Sequence, residues 1–309
     1  MKENLKVNIL WLFLLLLGYG LISLLVSVGV LNLFHIQIIE QIGINIILAV
    51  GLNLIVGFSG QFSLGHAGFM AIGAYAAAII GSKSPTYGAF FGAMLLGAII
   101  AGLVALVVGI PTLRLKGDYL AVATLGVAEI IRIFIINGGS LTNGAAGILG
   151  IPNFTTWQMV YFFAVITTIA TLNFLRSPIG RLTLSVREDE IAAESVGVNT
   201  TKIKIIAFVF GAVTASIAGT LQSGFIGSVV PKRLYVHQLY QCIDYRCIWW
   251  LRIHYRGNCC CNRAWNLEHA PSRRGQRSYD YLCFGLSTRY DLQTRWSSWD
   301  LGIEPITSL

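Results

Sequence analysis

Residues 51–78 read GLNLIVGFSGQFSLGHAGFMAIGAYAAA. Six glycines (Gly51, Gly57, Gly60, Gly65, Gly68 and Gly73) interrupt what would otherwise be one uniform apolar helix, and Ser59, Gln61, Ser63 and His66 set polar groups beside the interruption. Backbone that leaves the helix at membrane depth keeps its N–H and C=O groups satisfied only where protein or a water-filled cavity surrounds it. Two readings follow. The break lines a translocation path, as interrupted segments do in many transporters, or it is a place where small residues let helices pack closely. The candidate residues under either reading are Gly57, Ser59, Gly60, Gln61, Ser63, Gly65, His66 and Gly68. His66 stands alone and gives no sign of a metal site or of acid–base catalysis.

The rest of the chain agrees that the surrounding solvent is lipid. With 55% hydrophobic and 12% charged residues among 309, too few polar side chains exist to clothe a water-soluble domain of this size. The net charge of +8 then records topology and contact with anionic headgroups, not nucleic acid, because Lys and Arg fall mostly between apolar runs. Those runs lie at 9–33, 38–57, 67–82, 88–109, 119–136, 157–175 and 203–225, each near the ~20 residues a helix needs to cross ~30 Å of hydrocarbon. Period-2 alternation is absent, which disfavours a barrel. The expectation is an all-α, polytopic transmembrane helical bundle of about seven spans over residues 1–232, seated in the cell membrane. Lys2 and Lys6 precede the first run, which lacks a small-residue cleavage site and reads as an uncleaved span with a cytoplasmic N-terminus. Counting onward puts Arg114, Lys116, Arg176, Arg181, Arg187, Lys202 and Lys204 in the cytoplasm, with Lys83 the exception outside. The outer stretch 137–156 is too polar and Gly-rich to span, and a short lateral helix or reentrant piece is expected there.

Glu129 and Arg132 sit three apart inside the run LGVAEIIRIFI, residues 125–135. Bare charges there are expensive, so mutual pairing or a polar interior is expected. The cytoplasmic segment 176–204, RSPIGRLTLSVREDEIAAESVGVNTTKIK, is longer than a connector requires. Pro178 and Gly180 open it; Glu188, Asp189, Glu190 and Glu194 are expected to share one short helix that Gly197 and Asn199 end. Such a helix across the membrane face offers a docking surface for another protein, and the plainer alternative is a solvated linker.

Four stretches, NLIVGFSGQFSLGHAGF (53–69), PTLRLKGDYLAVATLGVAEIIRI (111–133), LTNGAAGI (141–148) and SVREDEIAAESVGVN (185–199), carry a resemblance over about residues 40–231. The sequence resembles the branched-chain amino acid transporter permeases, integral subunits of ATP-binding cassette importers. The resemblance implies an ABC importer permease fold and uptake of leucine, isoleucine and valine. It implies as partners a sister permease, two cytoplasmic ATP-binding subunits that use ATP and Mg, an extracytoplasmic substrate-binding protein and the lipid bilayer, with no nucleic acid. It implies no catalytic residue, metal or cofactor in this chain. Segment 176–204 resembles the ATPase coupling loop of importers, which assigns Arg187, Glu188, Asp189, Glu190, Ala192, Ala193, Glu194 and Gly197 to docking; Ala192 and Ala193 match the paired alanines and Gly197 the glycine, while Ile191 stands where the general motif has glutamate. Two other functions stay open: a permease of the same architecture for urea or short amides, and an ATPase-independent secondary transporter in which Glu129 and Arg132 couple ions.

The resemblance stops after SVVPKR, residues 228–233. Residues 233–309 hold ten arginines and no lysine, five of the seven tryptophans, and all six cysteines (Cys242, Cys247, Cys259, Cys260, Cys261 and Cys283). Three consecutive cysteines do not suit a tetrahedral zinc site. Each Trp codon, TGG, yields a glycine codon when read from its second base, and TRWSSW (294–299) becomes PGGLLG with permitted wobble bases. The tail therefore reads as an out-of-phase, aberrant translation that is expected to be disordered or poorly packed.

Overall fold

The computed structural model describes residues 17–29, 31–115 and 117–231. Residues 9–16 and 30 of the first apolar run, Lys2, Lys6, Lys116, the six cysteines and the tail 233–309 lie outside the described residues. Within them the chain is a bundle of helices: α1 (Leu17–Ser27), α2 (Leu33–Leu52, continued by a π-helical turn Asn53–Phe58), α3 (His66–Lys83), α4 (Tyr87–Thr112) and α5 (Asp118–Ile136). Then come α6 (Trp157–Arg176), the short α7 (Pro178–Glu188) and α8 (Glu190–Ser195), and α9 (Thr200–Ile226). The first apolar run does not continue to residue 33 as one helix: the chain turns at Val28 and Gly29, where Gly29 has φ +76°, and α2 starts after Asn32.

Among the described residues five helices are long and apolar enough to cross a membrane, by length and composition: α2 with its π turn, α4, α5, α6 and α9. The expected span at 67–82 is present as α3 but is not among those five. The physical reason is its position. Twelve of its eighteen residues are buried, and α4, α5 and α9 pack around it, so protein supplies the coat that an exposed span takes from its own side chains. Lipid-like solvent contributes no hydrophobic drive between helices, so the bundle holds through close van der Waals fit. Gly73 lies against the backbone of Ser216 and Gly219 against the backbone of Met70, which leaves no room for a Cβ at either place. Gly97 of α4 joins the same contact, 3.2 Å from Gly73 Cα for an added Cβ. Phe69 and Phe208 meet edge to face at 5.5 Å in this core.

The outward faces of α4, α5 and α6 are lined by large apolar side chains, among them Leu95, Leu103, Val107, Val122, Phe134 and Phe162. Between α3, α4 and α5 lies an apolar crevice of about 530 Å³. Stretch 137–156 contains no α-helix, so the lateral helix offered as one alternative there is not formed. It forms two 3₁₀ turns and a two-residue strand β1 (Ile148–Leu149), paired antiparallel with β2 (Ser228–Val229) after α9. Ile151 N donates to Gly227 O at 3.0 Å and Thr155 Oγ1 to Leu221 O at 2.9 Å, so α9's end anchors the loop. Asn143, in the left-handed region at φ 56°, holds it further by donating to Gly147 O. A helix there would forfeit these bonds and break at its glycines.

Candidate functional site: the broken segment and the α7–α8 elbow

Leu54, Ile55 and Gly57 begin the break while still buried. In the π-helical turn Ser59 N reaches Leu54 O at 3.0 Å, and Gln61 N reaches Ile55 O at 3.1 Å; such turns insert one residue too many per turn and commonly mark functional sites. Gly60 has φ +69°, a conformation that costs an L-residue roughly 1–2 kcal/mol. Residues 59–65 then run without helix until His66 opens α3.

The polar side chains of this segment are buried. Ser59, Gln61, Ser63 and His66 are all at or below 5% exposure. Gln61 Nε2 donates to Ser59 Oγ at 2.6 Å and to the Lys204 carbonyl at 3.1 Å. Asn53 Oδ1, Gln61 Oε1 and Ser63 Oγ have no hydrogen-bond partner among the described residues. His66 packs beside Gly51 and Thr214, where an added Cβ at 51 would meet both side chains. Leu64 N donates to Thr124 Oγ1 at 3.0 Å, an added Cβ at Gly65 would lie 2.7 Å from Thr124 O, and one at Gly68 would lie 2.9 Å from Ala128 Cα. The eight candidates thus divide: Gly65 and Gly68 seat α3 on α5, His66 opens α3 beside Gly51, and Gly57, Ser59, Gly60, Gln61 and Ser63 form the break itself.

The break sits at one end of the bundle, not at its middle. Lys204 is the fifth residue of α9, about 6 Å along the axis from its first, and Gln61 bonds to its carbonyl. Arg187, in the last turn of α7, lies on Gly60 with its Cγ 3.1 Å from where a Cβ would be. The sequence could not supply this depth, because nothing in 51–78 fixes which turn of α9 it faces.

The elbow is two helices, where one was expected. Asp189 is extended (φ −152°, ψ 109°) and its Oδ1 accepts from Ile191 N at 2.9 Å and Ala192 N at 3.0 Å, so it caps α8 and parts it from α7. Glu188 ends α7. Gly197 (φ +87°) follows α8, while Asn199 belongs to α9, capping it by accepting from Lys202 N. The paired alanines face apart: Ala193 is buried with Val186 and Ile203, and Ala192 is exposed. Glu190 and Glu194 turn back to α9. Glu190 Oε1 meets Lys204 Nζ at 2.6 Å, and Glu194 Oε1 accepts from Thr200 Oγ1 at 2.8 Å. The most exposed apolar side chains of the elbow are Ile191 at 77% and Val196 at 83%. The sequence marked Lys204 only as a topology signal beside a span, and nothing in it pairs Lys204 with Glu190 or Thr200 with Glu194.

Elsewhere, Glu129 and Arg132 form a two-pronged ion pair, with Arg132 Nε 2.9 and 3.0 Å from the two carboxylate oxygens and Nη2 on the same group. The pair is about one-third exposed. At the end of the bundle opposite the break, Gln41, Asn45 and Gln222 share amide hydrogen bonds between α2 and α9 (Gln41 Nε2 to Asn45 Oδ1, Gln222 Nε2 to Gln41 Oε1, each 3.2 Å). The sequence reading had not singled them out. Among the described residues no group of three or more His, Cys, Asp or Glu could hold a metal ion.

Residues 34–243 match the family described as branched-chain amino acid transport system / permease component. The high-affinity branched-chain amino acid transport system permease protein LivM of Salmonella typhimurium is 35% identical over 177 residues, 46% of this chain and 42% of that protein. Its Escherichia coli counterpart is 33% identical over the same shares, and a probable branched-chain amino acid transport permease LivM of Methanocaldococcus jannaschii is 25% identical over 51% of this chain and 50% of its own. The chain therefore spans half or less of the length of these curated relatives. No solved structure matches.

Proposed function

The chain belongs to the branched-chain amino acid transport permease family, and from that premise we propose that it is the membrane subunit of an ATP-driven importer carrying leucine, isoleucine and valine into the cytoplasm. It works beside a sister permease and two ATP-binding subunits, and receives its substrate from an extracytoplasmic binding protein. The observation that carries the reading is the α7–α8 elbow. Ile191 and Val196 stand out from it almost fully exposed, while a small core of Val186, Ala193 and Ile203 and the Glu190 and Glu194 contacts hold its frame rigid. A rigid elbow with bare apolar tips suits insertion into a groove on a partner, and here the partner is the ATP-binding subunit. The Glu129–Arg132 pair supports ATP drive over ion drive, since each charge is already engaged by the other and an ion-coupling carboxylate has to exchange partners during the cycle. Reconstitution with the candidate subunits tests the reading: leucine uptake should require ATP together with the ATP-binding subunits. Uptake that persists without them, driven by an ion gradient, overturns it.

A further inference from the structure

Three contacts join the elbow to the break. Glu190 of α8 holds the side chain of Lys204 at 2.6 Å, and the carbonyl of the same Lys204 receives Gln61 Nε2 at 3.1 Å. Arg187, at the end of α7, rests on Gly60. One lysine in the first turns of α9 is therefore shared by the exposed elbow and the buried loop, through different atoms. The loop itself is buried and bonded at several points, yet it is not uniformly satisfied. Ser63 Oγ and Gln61 Oε1 are buried without a partner among the described residues, the preceding turn is π-helical, and Gly60 occupies the left-handed region. Irregular backbone with buried polar atoms left unpaired is less stable than regular helix, and movable elements are drawn from such less stable segments. The contact on α9 also lies near that helix's first turns, at one end of the bundle.

We propose that segment 59–65 is a gate at the elbow end of the bundle, and that Gln61 and Lys204 are positioning residues through which movement of α8 opens or shuts it. The proposal rests on the importer reading given above and names which residues of that importer carry force from the docking surface to the path. Pulling on Glu190 shifts Lys204; the Lys204 carbonyl then carries Gln61, and the rigid pair Gln61–Ser59 takes the loop with it. Arg187 sets the limit on the other side, because Gly60 leaves room for its methylenes and for nothing larger.

Two measurements separate the link from the importer reading. Hydrogen exchange on the purified full chain needs neither partner nor substrate: Glu190→Gln should speed exchange of the amides of 59–65 about tenfold while those of α3 and the second half of α9 stay unchanged. Unchanged exchange in 59–65 overturns the link. In the reconstituted complex, Gln61→Leu keeps the bulk of the side chain and loses the donor, and should lower substrate moved per ATP hydrolysed about tenfold with ATP hydrolysis held within twofold. Loss of uptake and hydrolysis in equal proportion, or of neither, overturns the gate. A wild-type complex that transports without ATP would sink the importer reading instead, and leaves the exchange experiment to decide the link.

Discussion

Gly73 and Gly92 look alike in the sequence, both small residues in apolar runs, yet only one is constrained. Gly73 touches the Ser216 backbone, whereas nothing lies within 4 Å of a Cβ at Gly92. Gly73→Val, and likewise Gly219→Val on the facing helix, should destabilise the bundle by at least about 1–3 kcal/mol through overpacking. Gly92→Ala should stay within about 0.5 kcal/mol, both read from thermal unfolding in detergent. Equal shifts at 73 and 92 would mean that α3 and α9 do not approach as described. The polar residues show the same limit of a sequence reading. Ser59, Gln61, Ser63 and His66 are recognisable as odd in an apolar run, and burial of all four follows from that. Their partners do not, since Gln61 reaches a backbone carbonyl 143 positions away, and a carbonyl carries no sequence signal at all.

At the scale of the element, α8 is legible in outline and misread in detail. Its acidic character suggested a charged docking face; Glu190 and Glu194 also bond Lys204 and Thr200, and the apolar Ile191 and Val196 stand exposed beside Glu188, Asp189 and Glu194. Replacing Ile191 and Val196 together by Asp should cut the ATP-binding subunit recovered with the permease about tenfold, as expected of an exposed anchor, with membrane insertion unchanged. Recovery at full yield would place the docking surface elsewhere. Asp189→Ala removes the α8 cap at a cost of ~1 kcal/mol, and should weaken the same co-purification less than the double change does. The split between α7 and α8 was hidden because an N-capping Asp and a helix-interior Asp differ in backbone angle, not in composition. The helical spans fared better, since the period and length of an apolar run are properties of the run alone: α4, α5, α6 and α9 begin and end within about three residues of the expected limits.

For the whole molecule, the alternation of spans puts Arg114, Arg176, Arg181, Arg187, Lys202 and Lys204 at the elbow end and Lys83 at the other. From the positive-inside excess we propose that the elbow faces the cytoplasm. An epitope inserted after Gly197 should be reached only in permeabilised cells, and one after Gly144 in intact cells; the reverse pattern would invert the molecule and remove the docking proposal with it. The tail is a separate question of coding. We propose that the reading phase changes within the codons for Val230 to Tyr235, and resequencing there should find one base gained or lost against a gene whose product continues in apolar spans. An unbroken frame with no apolar alternative would retire the idea. The helix at the centre has a consequence of another kind. Because α3 carries His66, Ser82 and Lys83 with eight buried glycine and alanine positions, it is a poor candidate for leaving the translocon on its own merits, where each charge near the lipid is penalised. Only three residues, Ser84–Thr86, separate it from the far more apolar α4. The two should therefore enter the membrane as a hairpin, α4 escorting α3 during synthesis, so that a cell lacking α4 would leave α3 stranded in the aqueous channel and not merely loosely packed.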